Sequence, residues 1–515
     1  MRDLLAAGPS RLLRSHARPV LGCSQNRSAA LSIRPNSSSA SASSSSTSAT
    51  TLSASPESSR GSLVPGAPPP GRLSQVIKDS IRSTGPMSVA RYMQFCLSHP
   101  TEGYYQKGDV FGKKGDFITS PEISQIFGES LNHGPSEFHA VLVAQLLTRA
   151  QLVAIWLLTR YIAAGNPPRV RLVELGPGRG TLMDDILRTL FTFPGIGSAI
   201  RSIHLVENSG KMRDIQGTKL APRLEGRGVD LRWSDKIEDV SQTDDFTLLV
   251  AHEFFDAMPV NVFEKTPQGY REVLVSSSPT VSSVNPSGLH LALSQEPTPL
   301  STVLPATSPR FARLPIGSRI ELAQDSWRIM RKLGEIVGGG TNASARASAT
   351  SVGESGGSFA VDGVEGAGGR GAGLVIDYGA DRVFGSSFRA FRNHKIVDIF
   401  DEPGSSDLTA NVDFTYLRES LDGLSAKALG PIPQSQFLLS LGLQPRLTKL
   451  LASATDDERR SQLQHGAKRL IDSLGMGSQY QVMGVVPASQ GETEVYPFPV
   501  IESGSSTTTS TTRTQ

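Results

Sequence analysis

The chain has 515 residues, 51 of them basic and 48 acidic, and its length allows two or three average domains. Residues 1–60 hold seven Arg, no Lys and only Asp3 and Glu57 as acids; without them the balance is 44 against 46, which does not indicate a nucleic-acid footprint. Of two cysteines, Cys23 falls in that segment and only Cys96 remains, excluding an internal disulfide or a Cys-rich zinc site.

Residues 1–60 have the composition of a mitochondrial transit peptide running into a disordered Ser-rich segment. Leu4, Leu5, Leu12, Leu13, Val20 and Leu21, interspersed with Arg11, Arg14 and Arg18, suit a basic amphipathic helix, and no continuous apolar h-region is present. Pro65 to Gly71 reads as a linker. Helical spacing in "LSQVIKDSI" and "MSVARYMQFCLSH" then opens an N-terminal helical region over 73–168. Within it, "GDFITSPEISQIFGE" reads as a loop ending at Ser120, an N-cap, with Pro121 at the first helical position. The most apolar run, Ala140 to Ala164, carries Gln145, Arg149, Gln151 and Arg160, so it reads as a helix of a soluble domain rather than a membrane span.

From Arg169 the pattern alternates. "VRLVEL", "SIHLVE", "VDLRW" and "DFTLLVAHEFFDAMP" read as strands, and "TLMDDILRTLF" and "SGKMRDIQGTKL" as the helices between them. Such alternation implies βαβ units and a doubly wound, mainly parallel α/β sheet of Rossmann-like type, with its cofactor-binding core over 169–275. Later strands are expected at "VNVFEK", "YREVLV" and "GLVIDYG". An accessory region spans 276–373, in which Ser276 to Arg310 (Ser, Pro, Thr) and Gly338 to Gly373 (Gly, Ser, Ala) read as disordered insertions. Residues 374–502 complete the core and the substrate channel, and 503–515 form a disordered tail.

The chemistry begins at "VELGPGRGT". This loop follows a strand and opens a helix, so its amides and the helix dipole lie beside a bound ligand. A pyrophosphate fits poorly: Gly176, Gly178 and Gly180 are spaced G-x-G-x-G rather than G-x-G-x-x-G, and Glu174 would repel it. S-adenosylmethionine has no phosphate, and its cationic amino and sulfonium groups suit a nearby carboxylate. Glu207 stands where a ribose-binding acid is expected after the next strand, and Asp235 after the third strand is a candidate for the adenine amino group.

Past the strand "TLLV" come His252, Glu253 and Asp256, where ligands bind in open α/β sheets. One turn could present both carboxylates together, which suits a cationic acceptor: a guanidinium stays protonated and takes carboxylates in a fork. Asp377, ending the strand "VIDYG" beside Tyr378, is expected on the substrate wall.

"GDFITSPEISQIFGE", "VELGPGRGTLMDDILR", "AHEFFDAMPV", "FEKTPQGYREVLV", "VIDYG" and "DLTANVDFTYL" resemble the MidA-like S-adenosylmethionine-dependent methyltransferases, from about Leu73 to about Val486. The family motifs match at Glu174, Gly176, Gly178, Gly180, Glu207, His252, Glu253, Asp256, Asp377 and Asp413, the last a further substrate-binding candidate. The resemblance implies a class I methyltransferase fold and a mitochondrial matrix enzyme. Its implied product is symmetric dimethylarginine on a matrix-arm core subunit of NADH dehydrogenase, complex I, in support of that complex's assembly. A non-catalytic assembly chaperone built on the same fold is the alternative. The chain departs from the family in the length of the two low-complexity tracts and in "LNHGPSEFHAVLVAQLLTRAQ", Leu131 to Gln151. That segment is inserted between "GES" and "LVAIWLL", where the family helix runs unbroken.

Overall fold

A computed structural model describes residues 71–106, 137–278, 287–339, 371–393, 395–489 and 494–499, with side chains in the helix Glu137–Ala163 described from Arg149 on. The expected transit peptide, the C-terminal tail, and the loop with Ser120 and Pro121 lie outside these residues.

Seven strands run across the main sheet: β1 (Val170–Leu175), β2 (Ile200–Val206), β3 (Asp230–Ser234), β4 (Phe246–His252), β5 (Gly371–Ala380), β6 (Ala426–Pro433) and β7 (Tyr480–Pro487), and an eighth, the two-residue Val412–Asp413, pairs parallel with the end of β5. The order of the seven is β3-β2-β1-β4-β5-β7-β6. Strands β1 to β5 run parallel, while β7 lies antiparallel to both β5 and β6. The apolar runs of the sequence become strands covered on both faces, because alternate side chains go to opposite sides of a sheet. Leu172, Leu248, Val250, Leu374 and Ile376 pack on one side with Leu152, Trp156 and Leu157 from the helix Glu137–Ala163. Val173, Leu175, Leu249, Ala251 and Val375 pack on the other with Ile329, Leu333 and Ile336 from the helix Gln324–Gly338.

The structure departs from the sequence reading in four places. "VNVFEK" and "YREVLV" are strands (Asn261–Thr266 and Gly269–Ser277), but they leave the parallel sheet and pair antiparallel in a second one, with Arg319–Leu322, Leu289–Leu293 and Met87–Ser88. The parallel core therefore ends near Val260 rather than at 275, and the helices Arg72–Thr84 and Val89–Ser98 pack on this second sheet through Leu73, Ile77, Tyr92 and Met93. Much of Ser276 to Arg310 is ordered, contrary to expectation, with residues 279–286 lying outside the described set. Leu289, Leu304 and, just past the tract, Phe311 are buried, and Thr298 caps the helix Pro299–Val303 with a reciprocal Ser301 bond. A few well-placed apolar residues and a capping box suffice where average composition is polar.

Gly371 to Gly373, assigned to the second low-complexity tract, begin β5; a Cβ at Gly371 would overlap the Thr247 carbonyl, so glycine is what lets β5 lie this close to β4. Residues 340–370 lie outside the described set. The helix Glu137–Ala163 runs without a break through the end of the inserted segment. Among the described residues no helix is long and apolar enough to cross a membrane.

Candidate active site

Strand β2 lies to one side of β1 and β4 to the other, so the loops leaving β1 and β4 diverge at the C-terminal edge of the sheet, the place where open α/β sheets bind ligands. A cavity of about 410 Å³ opens there. One end is lined by Glu174, Gly176, Gly178, Glu207 and Asp235, the other by His252, Glu253, Asp256, Asp407 and Tyr105.

At the first end the chain takes three left-handed turns, with φ of +61° at Gly176, +52° at Gly178 and +77° at Gly180. A side chain at such angles costs about 1–2 kcal/mol. At Gly176 a Cβ would also stand 2.8 Å from a Phe254 ring carbon. The loop is pinned by Gly176 N donating to the Val206 carbonyl at 3.1 Å and by Gln216, whose Nε2 donates to the Gly178 carbonyl at 2.6 Å. The same Nε2 reaches Glu207 Oε2 at 3.3 Å, while Trp233 Nε1 donates to Gln216 Oε1 at 2.8 Å. Glu207 Oε1 accepts from Ser209 N at 2.8 Å. Burial pushes the Glu207 carboxyl upward and these donors pull it back. Asp235 is exposed at the rim and paired with Arg213.

Glu174 is 2% exposed, and its Oε2 has no hydrogen-bond partner. Burial pushes its carboxyl up to about 8, against the pull of the Met183 amide. An orphaned buried carboxylate on a cavity wall tests what belongs beside it: a cation supplies the missing partner, whereas a phosphate adds a second buried charge. The residues therefore fit S-adenosylmethionine, with Glu174 toward its cationic tail, the glycines admitting it closely and Glu207 toward its ribose.

The other end is built on the turn after β4. Glu253 has φ +50°, a conformation costly for a residue with a Cβ, and its N–H donates to the Ile376 carbonyl at 3.0 Å. Asp377 fixes the turn: Oδ2 accepts from Phe254 N at 3.0 Å and Phe255 N at 2.8 Å, and Oδ1 from Tyr378 N at 2.9 Å. Burial raises the Asp377 carboxyl to about 7, with these amides opposing and Glu253 adding. Tyr480 donates its hydroxyl to Glu253 Oε1, and its ring lies 3.9 Å from that of Tyr378. His252 is 7% exposed, neither ring nitrogen meets a partner, and burial followed by the Arg149 charge holds it well below the usual histidine range. Asp256 is 5% exposed and is pushed well up, first by burial, then by Asp377, Asp407 and Glu253, with Arg389 opposing.

Eight of the twelve expected site residues are brought together here. Gly180 lies behind the wall, capping the helix Thr181–Leu190 against Gln216. Asp377 and Tyr378, expected on the substrate wall, are not among the lining residues; Asp377 is spent on backbone amides beneath them. Asp413 is off the cavity too: it caps the helix Phe414–Glu419 through Tyr416 N and pairs with Arg310 at 2.8 Å. Sequence reasoning missed Gln216, Tyr105, Tyr480 and Asp407. Only Asp407 carried a signal, because "DLTANVDF" contains two acids and the cavity takes the first.

The seven-stranded order with one reversed strand, and a glycine loop facing buried acids across the switch point, define a Rossmann-like S-adenosylmethionine-dependent methyltransferase. Residues 152–432 match the family described as "Putative S-adenosyl-L-methionine-dependent methyltransferase", and the chain belongs to that family. It is 36% identical over 426 residues to the mitochondrial protein arginine methyltransferase NDUFAF7 of Danio rerio, covering 80% of this chain and 86% of the relative. Identity to the protein of the same name from Homo sapiens is 36% over 427 residues, covering 79% and 81%. Among solved structures, a protein of Burkholderia thailandensis bound to S-adenosyl-homocysteine and described as a "likely methyl transferase" shares the fold, with TM-score 0.59 and 23% identity, covering 84% of this chain and 97% of that one.

Proposed function

We propose that the chain transfers a methyl group from S-adenosylmethionine to the guanidinium of a protein arginine in the mitochondrion. In its finer form, the reading is symmetric dimethylation of a matrix-arm core subunit of complex I during assembly. The observation that carries the reading is one cavity lined both by Glu174, whose Oε2 lacks a partner beside the glycine loop, and by Glu253 and Asp256. The names of relatives matched over four-fifths of their length support the arginine acceptor and the compartment.

The cofactor supplies a methyl group activated by a positive sulfur. Everything else falls to the chain. Glu253, held by Tyr480 from the side and by Asp377 through the turn, orients the acceptor nitrogen in line, and placement of this kind supplies much of the acceleration. The nitrogen that gains the methyl must shed a proton, and the acidic end of the cavity provides the acceptor and stabilises the charge that shifts as it leaves. Replacing Glu253 by Gln abolishes methylation of arginine peptides while cofactor affinity stays within a few-fold; retained turnover rejects the assignment. Mass spectrometry of complex I subunits with and without this gene tests the finer acceptor.

A further inference from the structure

Resting on the arginine reading above, we propose that Asp407 is an acceptor-binding residue which, with Asp256, forms a carboxylate pair that receives the guanidinium. Asp407 opens the motif "DLTANVDFTYL", whose matched position is Asp413. It comes from a third sheet, on the short strand Asp407–Thr409 paired with Arg389–Arg392, about 150 residues from Asp256. The two segments are tied together by Ala410 N donating to the Asp256 carbonyl at 2.9 Å. Asp407 is only 2% exposed, yet it lines the same cavity as Asp256. Tyr105, which also lines the cavity, donates its hydroxyl to Asp407 Oδ1 at 3.0 Å.

Buried acids so placed repel one another, and a compensating charge is needed for both to be ionised. Arg389 offsets part of it, but its Nη1 is already engaged by the Ser387 carbonyl at 2.9 Å and Asn411 Oδ1 at 2.8 Å. A second, independent sign of a missing ligand is His252, more than nine-tenths buried on the same wall with both ring nitrogens unpartnered. A guanidinium brings five donors in a planar fork and can meet two carboxylates at once, which the compact ammonium of lysine does less well. Asp407 therefore does more than add charge: with Asp256 it selects a planar acceptor. Glu253 stays at the reacting nitrogen.

The full chain, saturated with S-adenosylhomocysteine, is titrated calorimetrically with an acetyl-Gly-Arg-Gly amide and with its lysine counterpart, which carries the same charge on a compact ammonium. The wild type should prefer arginine at least tenfold. Asp407→Asn should shrink that preference about tenfold while leaving S-adenosylhomocysteine affinity within twofold. A merely structural role would weaken both peptides alike and keep their ratio, and that result overturns the proposal. No arginine preference in the wild type overturns the guanidinium reading itself, and this inference with it. If Asp407→Asn does not fold, Tyr105→Phe, which removes only the hydroxyl on Asp407, should reduce the preference in the same direction, and an unchanged ratio there is equally fatal.

Discussion

Cofactor binding should release a proton, and Glu174 is the reason. With its carboxyl raised to about 8, roughly nine-tenths of the ligand-free protein is protonated there at pH 7. A ligand ammonium placed against Oε2 favours the ionised form, so binding must expel about 0.9 proton at that pH. The same linkage makes the dissociation constant fall about tenfold per pH unit up to about pH 8 and level off above it, each tenfold step being about 1.4 kcal/mol.

The assay is calorimetric titration of S-adenosylhomocysteine, which carries the same amino acid tail, in two buffers of different ionisation enthalpy. Glu174→Gln keeps the size of the side chain and an oxygen for the Met183 amide, but it cannot titrate. Other groups and the ligand contribute equally to both proteins, so the difference in proton release isolates Glu174 and should be about 0.9 at pH 7. The same release from both proteins, or a wild-type affinity flat between pH 6 and 8, would show that the buried acid does not meet the cation.

Gly176→Ala forces a Cβ into a left-handed turn and against the Phe254 ring. It should lower stability by about 1–2 kcal/mol and cofactor affinity by more than tenfold, read from Tm and calorimetry. Tyr480→Phe keeps the ring against Tyr378 but loses the donor to Glu253. A hydrogen bond to a charged group contributes about 1.5–3 kcal/mol, so kcat should fall roughly 10- to 100-fold with cofactor affinity unchanged, and an equal loss in both would refute the positioning role. The stability of the ligand-free protein should also depend on pH. Glu174 and Asp377 have folded values of about 8 and about 7, well above their unfolded ones, so the unfolded chain ionises first as pH rises. Their contribution is intact below about pH 4 and lost as pH climbs to about 8, at up to about 1.4 kcal/mol per unit for each group. Scanning calorimetry should give a lower Tm at pH 8 than at pH 6, with a shallower slope in Glu174→Gln; a Tm rising across that window contradicts the burial argument.

The legible parts of the molecule were those written in short-range patterns. "VRLVEL" and "TLLVAH" are apolar runs of strand length, and the glycines that follow "VRLVEL" announce a turn close to a ligand, so β1, β4 and the cofactor end could be placed from neighbouring residues alone. Illegible was what depends on distant pairing. Asn261–Thr266 looks like any strand, and nothing local says that it joins an antiparallel sheet. Polar composition hid Leu289 and Leu304, because a tract with two anchors inside it and Phe311 just past its end is ordered despite its average. Asp377 reads as a substrate contact because acids at strand ends attract that reading, and Asp413 because it matches a family motif. Their lone pairs are taken by backbone amides and, at Asp413, also by Arg310, which only coordinates reveal.

The two ends of the cavity differ in how they are made, with a consequence for folding. The cofactor end comes from one continuous stretch, Glu174 to Asp235, closed by Gln216 and Trp233 within it. Its opposite end needs Tyr105, the turn at Glu253, Asp407 and Tyr480, the last 227 residues from the acid it holds. Tyr105 and Asp407 come from outside the central sheet, so they are the first to loosen when accessory elements open locally, while Glu253 and Tyr480 stay with β4 and β7. Substitutions at the interface of the second sheet with the helices Arg72–Thr84 and Val89–Ser98 should therefore erode acceptor handling before they erode cofactor affinity. That ordering follows from where the carboxylates are anchored, and no residue in either end has to be touched for it to hold.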